Sequence, residues 1–272
     1  NCGKALIRRQ AFWKNVIKHL KSNKYDVCYV RYPYCSFQLL HAFRLIRKGG
    51  ANLYLEIPTY PYQVETNKGN RLLRIVQKYL DKLLRPLMKK YVQKCYLIGA
   101  PADSFVGIPA VNIPNGINPG FFKKKEHNAG TDQLHMICCA HMFHTHGFDR
   151  LIQGLIQYQG DKSNIFIHMV GDGPELGKYK NLVQANNLEK QVLFHGYLAG
   201  DKLDEMFDRC NLACGSLGMH RGGFESGSPL KTKEYLSRGI PFIYAYKETG
   251  LPEDFAYAKR FPSNEEPIDF TQ

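Results

Sequence analysis

Short apolar runs alternate with stretches of helical periodicity along the chain, a pattern that predicts an α/β protein with parallel strands. In the first part, Asp26–Arg31 and Asn52–Ile57 read as strands, with a helix over Ser36–Arg47 between them. A longer helical stretch runs from Arg71 to about Lys94, followed by short apolar pieces at Tyr96–Ile98 and Val111–Ile113. Turn formers and charge then crowd Ile113-Pro-Asn-Gly-Ile-Asn-Pro-Gly120 and Lys123–Gly130, which places a domain boundary there and divides the chain into 1–118 and 119–272. Beyond it strands are expected at Leu134–Met142, Ile165–Val170, Val192–Gly196, Leu212–Ser216 and Pro241–Tyr246. Helices should start near Gly147, Pro174, Asp201 and Pro229, giving a doubly wound sheet. Such sheets bind ligands beyond the carboxyl ends of their strands, so function is sought in four loops: His141–Gly147, Gly171–Glu175, His195–Gly200 and Gly218–Lys231.

The fourth loop carries the most chemistry. Ser228 and Pro229 read as N-cap and first helical residue, glycines precede them, and Lys231 falls in the first turn. That arrangement suits a diphosphate, while a flexible loop with an ordinary cap uses the same residue types. Val170-Gly-Asp-Gly-Pro-Glu175 repeats the strand–glycine–proline design and is equally a plain turn. Cys138, Cys139, His141, His144 and His146 invite a metal reading. A strand there would send Cys138 and Cys139 to opposite faces, and no second ligand cluster stands at a suitable spacing, so no metal is assigned.

The Arg71–Lys94 stretch places Leu72, Val76, Tyr79, Leu80, Leu83, Leu87 and Tyr91 on one stripe. Eight Lys and Arg residues surround that stripe against the single acid Asp81. It reads either as a core helix with a solvated basic face or as a contact for an anionic membrane, and Pro86 should kink it.

Composition narrows the class. At 272 residues with 44% hydrophobic content, the chain is neither a disordered tail nor a disulfide-stapled miniprotein. No apolar stretch is long enough for a transmembrane helix. The cysteines lack a C-x-x-C pair and several sit inside apolar runs, as reduced structural thiols of a cytoplasmic protein would. The 37 Lys+Arg against 24 Asp+Glu give +13, which attracts anions without naming one. Nucleic acid is disfavoured as the partner, since no recognition module is present.

Five segments together resemble the retaining GT-B glycosyltransferases of the "group 1" family. They are Ile113-Pro-Asn-Gly-Ile-Asn, His146-Gly-Phe-Asp-Arg-Leu-Ile, Ile167-His-Met-Val-Gly-Asp-Gly-Pro-Glu, Val192-Leu-Phe-His-Gly-Tyr and Lys233-Glu-Tyr-Leu-Ser-Arg-Gly-Ile-Pro-Phe. The resemblance implies two Rossmann-like domains facing a cleft, a partial acceptor-side domain followed by a nucleotide-sugar-binding domain. It also implies either a chain lacking the front of the first domain and the family's last helix or an altered family architecture.

The activity implied is metal-independent, retaining transfer of a sugar from a UDP- or GDP-linked donor to a saccharide or lipid-linked acceptor, in polysaccharide or glycolipid assembly. No cofactor beyond that donor substrate is expected. A non-catalytic nucleotide-sugar-binding or scaffolding module, or a truncated inactive fragment, is the competing reading. The location implied is cytoplasmic, with a peripheral place on the membrane.

Glu234 matches the second of the family's two acids, which touches the ribose. The first falls on Ser226, with Glu225 one residue away as the substitute that would meet the sugar hydroxyls. Glu225, Lys231 and His146 are the catalytic candidates. His141, Gly147, Gly171, Gly173, His195, Gly196, Ser228, Pro229, Leu230 and Glu234 are the donor-binding ones. His141 and His146 stand near the family's phosphate-binding Arg and Lys. A diphosphate beside them would raise their pKa values, so donor binding is expected to weaken as rising pH deprotonates them.

Overall fold

The computed structural model describes residues 2–62, 71–126 and 132–271. The chain folds as two compact units, Asn1–Pro114 and Asn115–Gln272, dividing four residues before the expected 118/119 break. Asn115 belongs to the second unit because its backbone N–H donates to Ser228 Oγ (3.1 Å) and its amide to the Ser228 carbonyl (2.6 Å).

In the first unit, α1 (Cys2–Ser22) leads into β1 (Val27–Arg31), α2 (Phe37–Lys48) and β2 (Asn52–Tyr60). Then come α3 (Arg71–Leu84), a 3-10 helix (Arg85–Lys90), β3 (Lys94–Gly99), β4 (Ser104–Phe105) and β5 (Ile108–Asn112). The sheet order is β1-β2-β3-β5-β4, parallel except for the β4–β5 pair. Ser36 caps α2 by accepting from Leu39 N–H, and Leu39, Ala42, Phe43 and Ile46 bury one helical face over the sheet. Leu53, Leu55 and Ile57 alternate inward from β2 to meet them.

Two features of the Arg71–Lys94 stretch differ from expectation. The α-helix ends at Leu84, and Pro86 sits at the start of a 3-10 turn where its missing N–H is tolerated. Much of the expected core stripe faces solvent: Val76, Tyr79, Leu83 and Leu87 are exposed, whereas Leu80 and Tyr91 pack partly against the core and Asp81, Leu84 and Met88 are buried. The side chains of Arg71, Leu72 and Arg74 lie outside the described residues, as does 127–131 of the expected linker.

The second unit contains β6 (Leu134–Cys139), α4 (Phe148–Gln157), β7 (Ile165–Val170), α5 (Leu176–Ala185), β8 (Val192–Gly196), α6 (Asp201–Arg209) and β9 (Leu212–Cys214). After them come β10 (Ser226–Gly227), α7 (Leu230–Arg238), β11 (Phe242–Tyr244), β12 (Lys247–Glu248) and β13 (Ala258–Arg260). The main sheet is wholly parallel, in the order β13-β11-β9-β6-β7-β8, and β10 pairs separately with β12. The five expected strands are present, three of them shortened at their ends, and β13 is an addition. Its Ala-Lys-Arg sequence has no apolar alternation and gains strand form by pairing with β11. Phe148, Leu151, Ile152 and Leu155 of α4 pack with Met136, Cys138, Ile167 and Met169 of the sheet to form the core.

Candidate functional site

The site is built at the carboxyl ends of β6, β7, β8 and β9, all in the second unit. Three of the expected loops are locked together through glycine. Gly171 has φ +115°, and a Cβ there would lie 2.0 Å from the Ala140 carbonyl oxygen; at Gly147 (φ +63°) it would lie 2.5 Å from Gly218 N. These glycines, with Gly173 against Met142, let the loops after β6, β7 and β9 stack backbone on backbone. Met142 N–H donates to the Asp172 carbonyl (2.5 Å) and Glu175 N–H to the Met142 carbonyl (3.1 Å), tying the first loop to the second. Gly196 joins them by accepting from Gly171 N–H (2.7 Å).

The fourth loop is held as firmly. Glu225 accepts from Lys247 N–H (2.8 Å) and Gly227 from Thr249 N–H (2.9 Å), extending the β10–β12 ladder. α7 begins at Leu230 with Pro229 as its N-cap, so Ser228 stands one position before its expected place and uses its hydroxyl on Asn115 instead. The free N–H groups of that first turn remain at the loop's end.

Of the two lysines in the first turn of α7, one is consumed. Lys233 Nζ lies 3.0 Å from the buried carboxylate of Glu248, which also meets Thr232 Oγ1 (2.8 Å), Tyr246 OH (3.2 Å) and Gly250 N–H (3.2 Å). Glu248, which holds the start of α7 in place, was missed by the sequence reading. Lys-Glu-Thr reads as a surface turn, and only the pairing of β12 with β10 takes the carboxylate inside. Lys231 is left over. Its Nζ is buried with no hydrogen-bond partner among the described residues and lies 5.5 Å from the Phe148 ring centroid. Burial lowers its pKa to about 8, against the pull of Cys214, Cys139, Cys138 and Glu234 nearby. Glu234 accepts from Arg238 Nε (2.8 Å), which orients its carboxylate.

His146 reaches the same region from the first loop and is neutral there. Burial, and then Lys231, lower its pKa to about 3. Its Nδ1 accepts from Phe143 N–H (3.0 Å), so the ring proton sits on Nε2 as a donor. His141 lies exposed, with Nδ1 2.6 Å from Asp172 Oδ1.

His195 belongs to a row of three rings. Its Nε2 is 3.0 Å from His168 Nδ1, His168 Nε2 is 3.0 Å from His135 Nδ1, and His135 Nε2 is 3.2 Å from Gln133 Oε1. Desolvation lowers all three pKa values, that of His168 to about 4. With an amide oxygen as the last acceptor, each ring carries its proton on Nε2, so His195 offers Nδ1 as an acceptor rather than a positive charge.

The structure thus brings Lys231, His146, Glu234 and the start of α7 together. Gly147, Gly171 and Gly173 shape the loops beneath, and His195 with Gly196 ends the neighbouring strand. Glu225 and Leu230 are exposed at the edge. Arg150 and Arg221 were not singled out from sequence. Buried Arg150 donates to the carbonyls of Leu217, Pro262 and Glu266, and Arg221 bridges Asp149 and Glu265, fastening α4 and the fourth loop to the chain beyond β13.

Comparison with known proteins bears on this arrangement. Residues 121–259 match the family model "Glycosyl transferases group 1". No functionally curated protein matches. Among solved structures, the Anabaena protein HepE in complex with UDP has a TM-score of 0.62 at 13% identity, over 93% of this chain and 69% of that one. An apo lipopolysaccharide outer core galactosyltransferase, WaaB, gives 0.57 at 14% identity, over 96% and 68%. Sucrose-phosphate synthase from Thermosynechococcus elongatus gives 0.60 at 14% identity, over 94% and 67%.

Proposed function

The chain belongs to the glycosyl transferases group 1 family, an enzyme of the GT-B glycosyltransferase class, and on that premise we propose that it moves a sugar from a UDP- or GDP-linked donor to a saccharide or lipid-linked acceptor. The further proposals are retention of configuration, independence of metal, a role in polysaccharide or glycolipid assembly, and a cytoplasmic place beside the membrane.

The observation that carries the reading is Lys231: a buried cation with no hydrogen-bond partner among the described residues, in the first turn of α7. Leaving a charge so placed is costly unless an anion completes it. A donor diphosphate does so, and it accepts in addition from His146 Nε2–H and the free N–H groups of α7. As the glycosidic bond breaks, negative charge grows on the departing diphosphate, and these preorganised donors stabilise it without reorganisation. Lys231 supplies the fixed charge that His146, being neutral, does not, which relieves the reaction of a metal counter-ion. Glu234 takes the ribose hydroxyls and Glu225 those of the donor sugar. His195 Nδ1 accepts from a base N–H or a hydroxyl.

Calorimetry with UDP, GDP and their sugars tests this. We expect binding of one nucleotide series, at least tenfold weaker in Lys231→Met at constant fold, and sugar release or transfer lost with it. Nucleotide binding unchanged in Lys231→Met would overturn the assignment, and binding without any turnover would make the chain a binding module.

A further inference from the structure

Most of the apolar stripe on α3 is left open, with Leu80 alone of its described residues on that helix packed against the core. Tyr79 is 71% exposed and Leu83 73%, with Ile75, Val76 and Leu87 exposed beside them. The helix is turned this way by Asp81, the single acid between positions 71 and 94. Its carboxylate is buried, accepting from Tyr32 OH (2.6 Å) and Cys35 N–H (2.5 Å), with Arg85 at 3.8 Å. Leu84 and Met88, one and two turns on, complete the inward face. With its acid drawn inside, the outer surface carries Lys78, Lys82, Lys89 and Lys90, all exposed, around the apolar row.

The charge of the whole unit agrees. Residues 1–114 hold 20 Lys+Arg against 5 Asp+Glu, a net +15, whereas residues 115–272 hold 17 against 19, a net −2. The chain's entire positive excess therefore lies on the unit that carries this helix.

We propose that the outer face of α3 and the following 3-10 turn docks on an anionic lipid bilayer surface, the tyrosine and aliphatic side chains entering the headgroup boundary and the lysines pairing with lipid phosphates. The apolar row calls for a partner with an accessible apolar layer, and the lysines call for negative charge; an anionic bilayer presents both at one surface. Nucleic acid would leave the apolar row in water. A second copy of the chain would bring like charges together across a two-fold contact. The inference is independent of the donor site, since vesicle binding and nucleotide binding use different residues and are read separately.

The test is flotation of the full chain with phosphatidylcholine vesicles, with and without phosphatidylglycerol, at about 0.1 M and about 1 M salt. The chain should float with the anionic vesicles at low salt and be largely released at high salt. Lys78→Gln and Lys82→Gln should each weaken binding about fivefold, and Tyr79→Ser with Leu83→Ser at least about tenfold. These side chains are exposed, so unchanged circular dichroism is expected, and nucleotide binding should persist. Phe121→Ser, which removes an exposed aromatic from the other unit, should float as the parent does. Should the double serine variant fail to fold, Leu83→Ser alone carries the test. The proposal fails if anionic vesicles do not retain the chain, if neutral vesicles retain it equally, or if the α3 variants float unchanged. It also fails if Leu83→Ser dissolves a dimer while lipid has no effect, which would assign the face to a second copy.

Discussion

Lys231, in the donor-binding role proposed above, would be a binding group that weakens the fold holding it. Its pKa of about 8 lies below the ordinary lysine value near 10.4, so folding expels a proton between those two pH values. The charged form is the penalised one: the cost is full below about pH 8 and is relieved as pH rises towards 10.4. Lys231→Met should therefore stabilise the protein at pH 7 by about 3 kcal/mol while weakening nucleotide binding. In paired thermal melts, the parent should gain on the variant from pH 7 to about 10. Donor affinity should move the other way, because a diphosphate pulls the proton back. It should fall by up to about tenfold per pH unit above about 8, and stay flat through the range in which a free histidine titrates. Calorimetry across that range checks it, and a fall centred near pH 6.5 would restore the histidine explanation. The sequence made Lys231 legible, because a lysine one turn into a glycine-led helix is a local pattern. The state of His146 was not legible: its neutrality comes from burial and from Lys231, 85 positions away in the chain.

At the scale of elements, the start of α7 is held by the strand pair that follows it. Glu248 gathers Thr232, Lys233, Tyr246 and the Gly250 N–H around one buried carboxylate. Glu248→Ala would leave Lys233 buried without its counter-charge, which costs about 3–5 kcal/mol. Thermal unfolding should shift down accordingly, and nucleotide binding should weaken in the fraction that remains folded. A loss under 1 kcal/mol would mean that Lys233 swings into water and α7 stands without the carboxylate. The parallel strands and their helices were legible because burial on both sheet faces imposes continuous apolar runs such as Ile165–Val170. Other features were not, among them β13 and the orientation of α3. β13 is polar and forms through its pairing with β11. α3 carries a stripe whose periodicity identifies a helix without saying which way it faces, and a buried aspartate decides that.

For the molecule as a whole, each unit carries its own machinery. The apolar cluster around Phe43, Leu53 and Met88 lies within the first unit, and those around Phe148 and around Tyr235 lie within the second. Among the described residues no sheet is shared, and the residues of the proposed donor site all come after Asn115. The second unit should therefore fold when expressed as residues 115–272 and bind nucleotide within a fewfold of the parent. With a net charge of −2 it should not float with anionic vesicles, which assigns any membrane contact to the +15 unit. That partition also separates two roles that the total of +13 blends. On the proposed function, the phosphates of a soluble donor would be met in a slightly acidic unit by one buried lysine and a helix start, so their binding should vary weakly with salt. Lipid docking, spread over exposed lysines, should vary strongly. Measuring both on the same preparation between about 0.1 M and about 1 M salt decides it. Parallel losses would mean that nucleotide, like lipid, is held by diffuse surface charge and that Lys231 is not its principal contact.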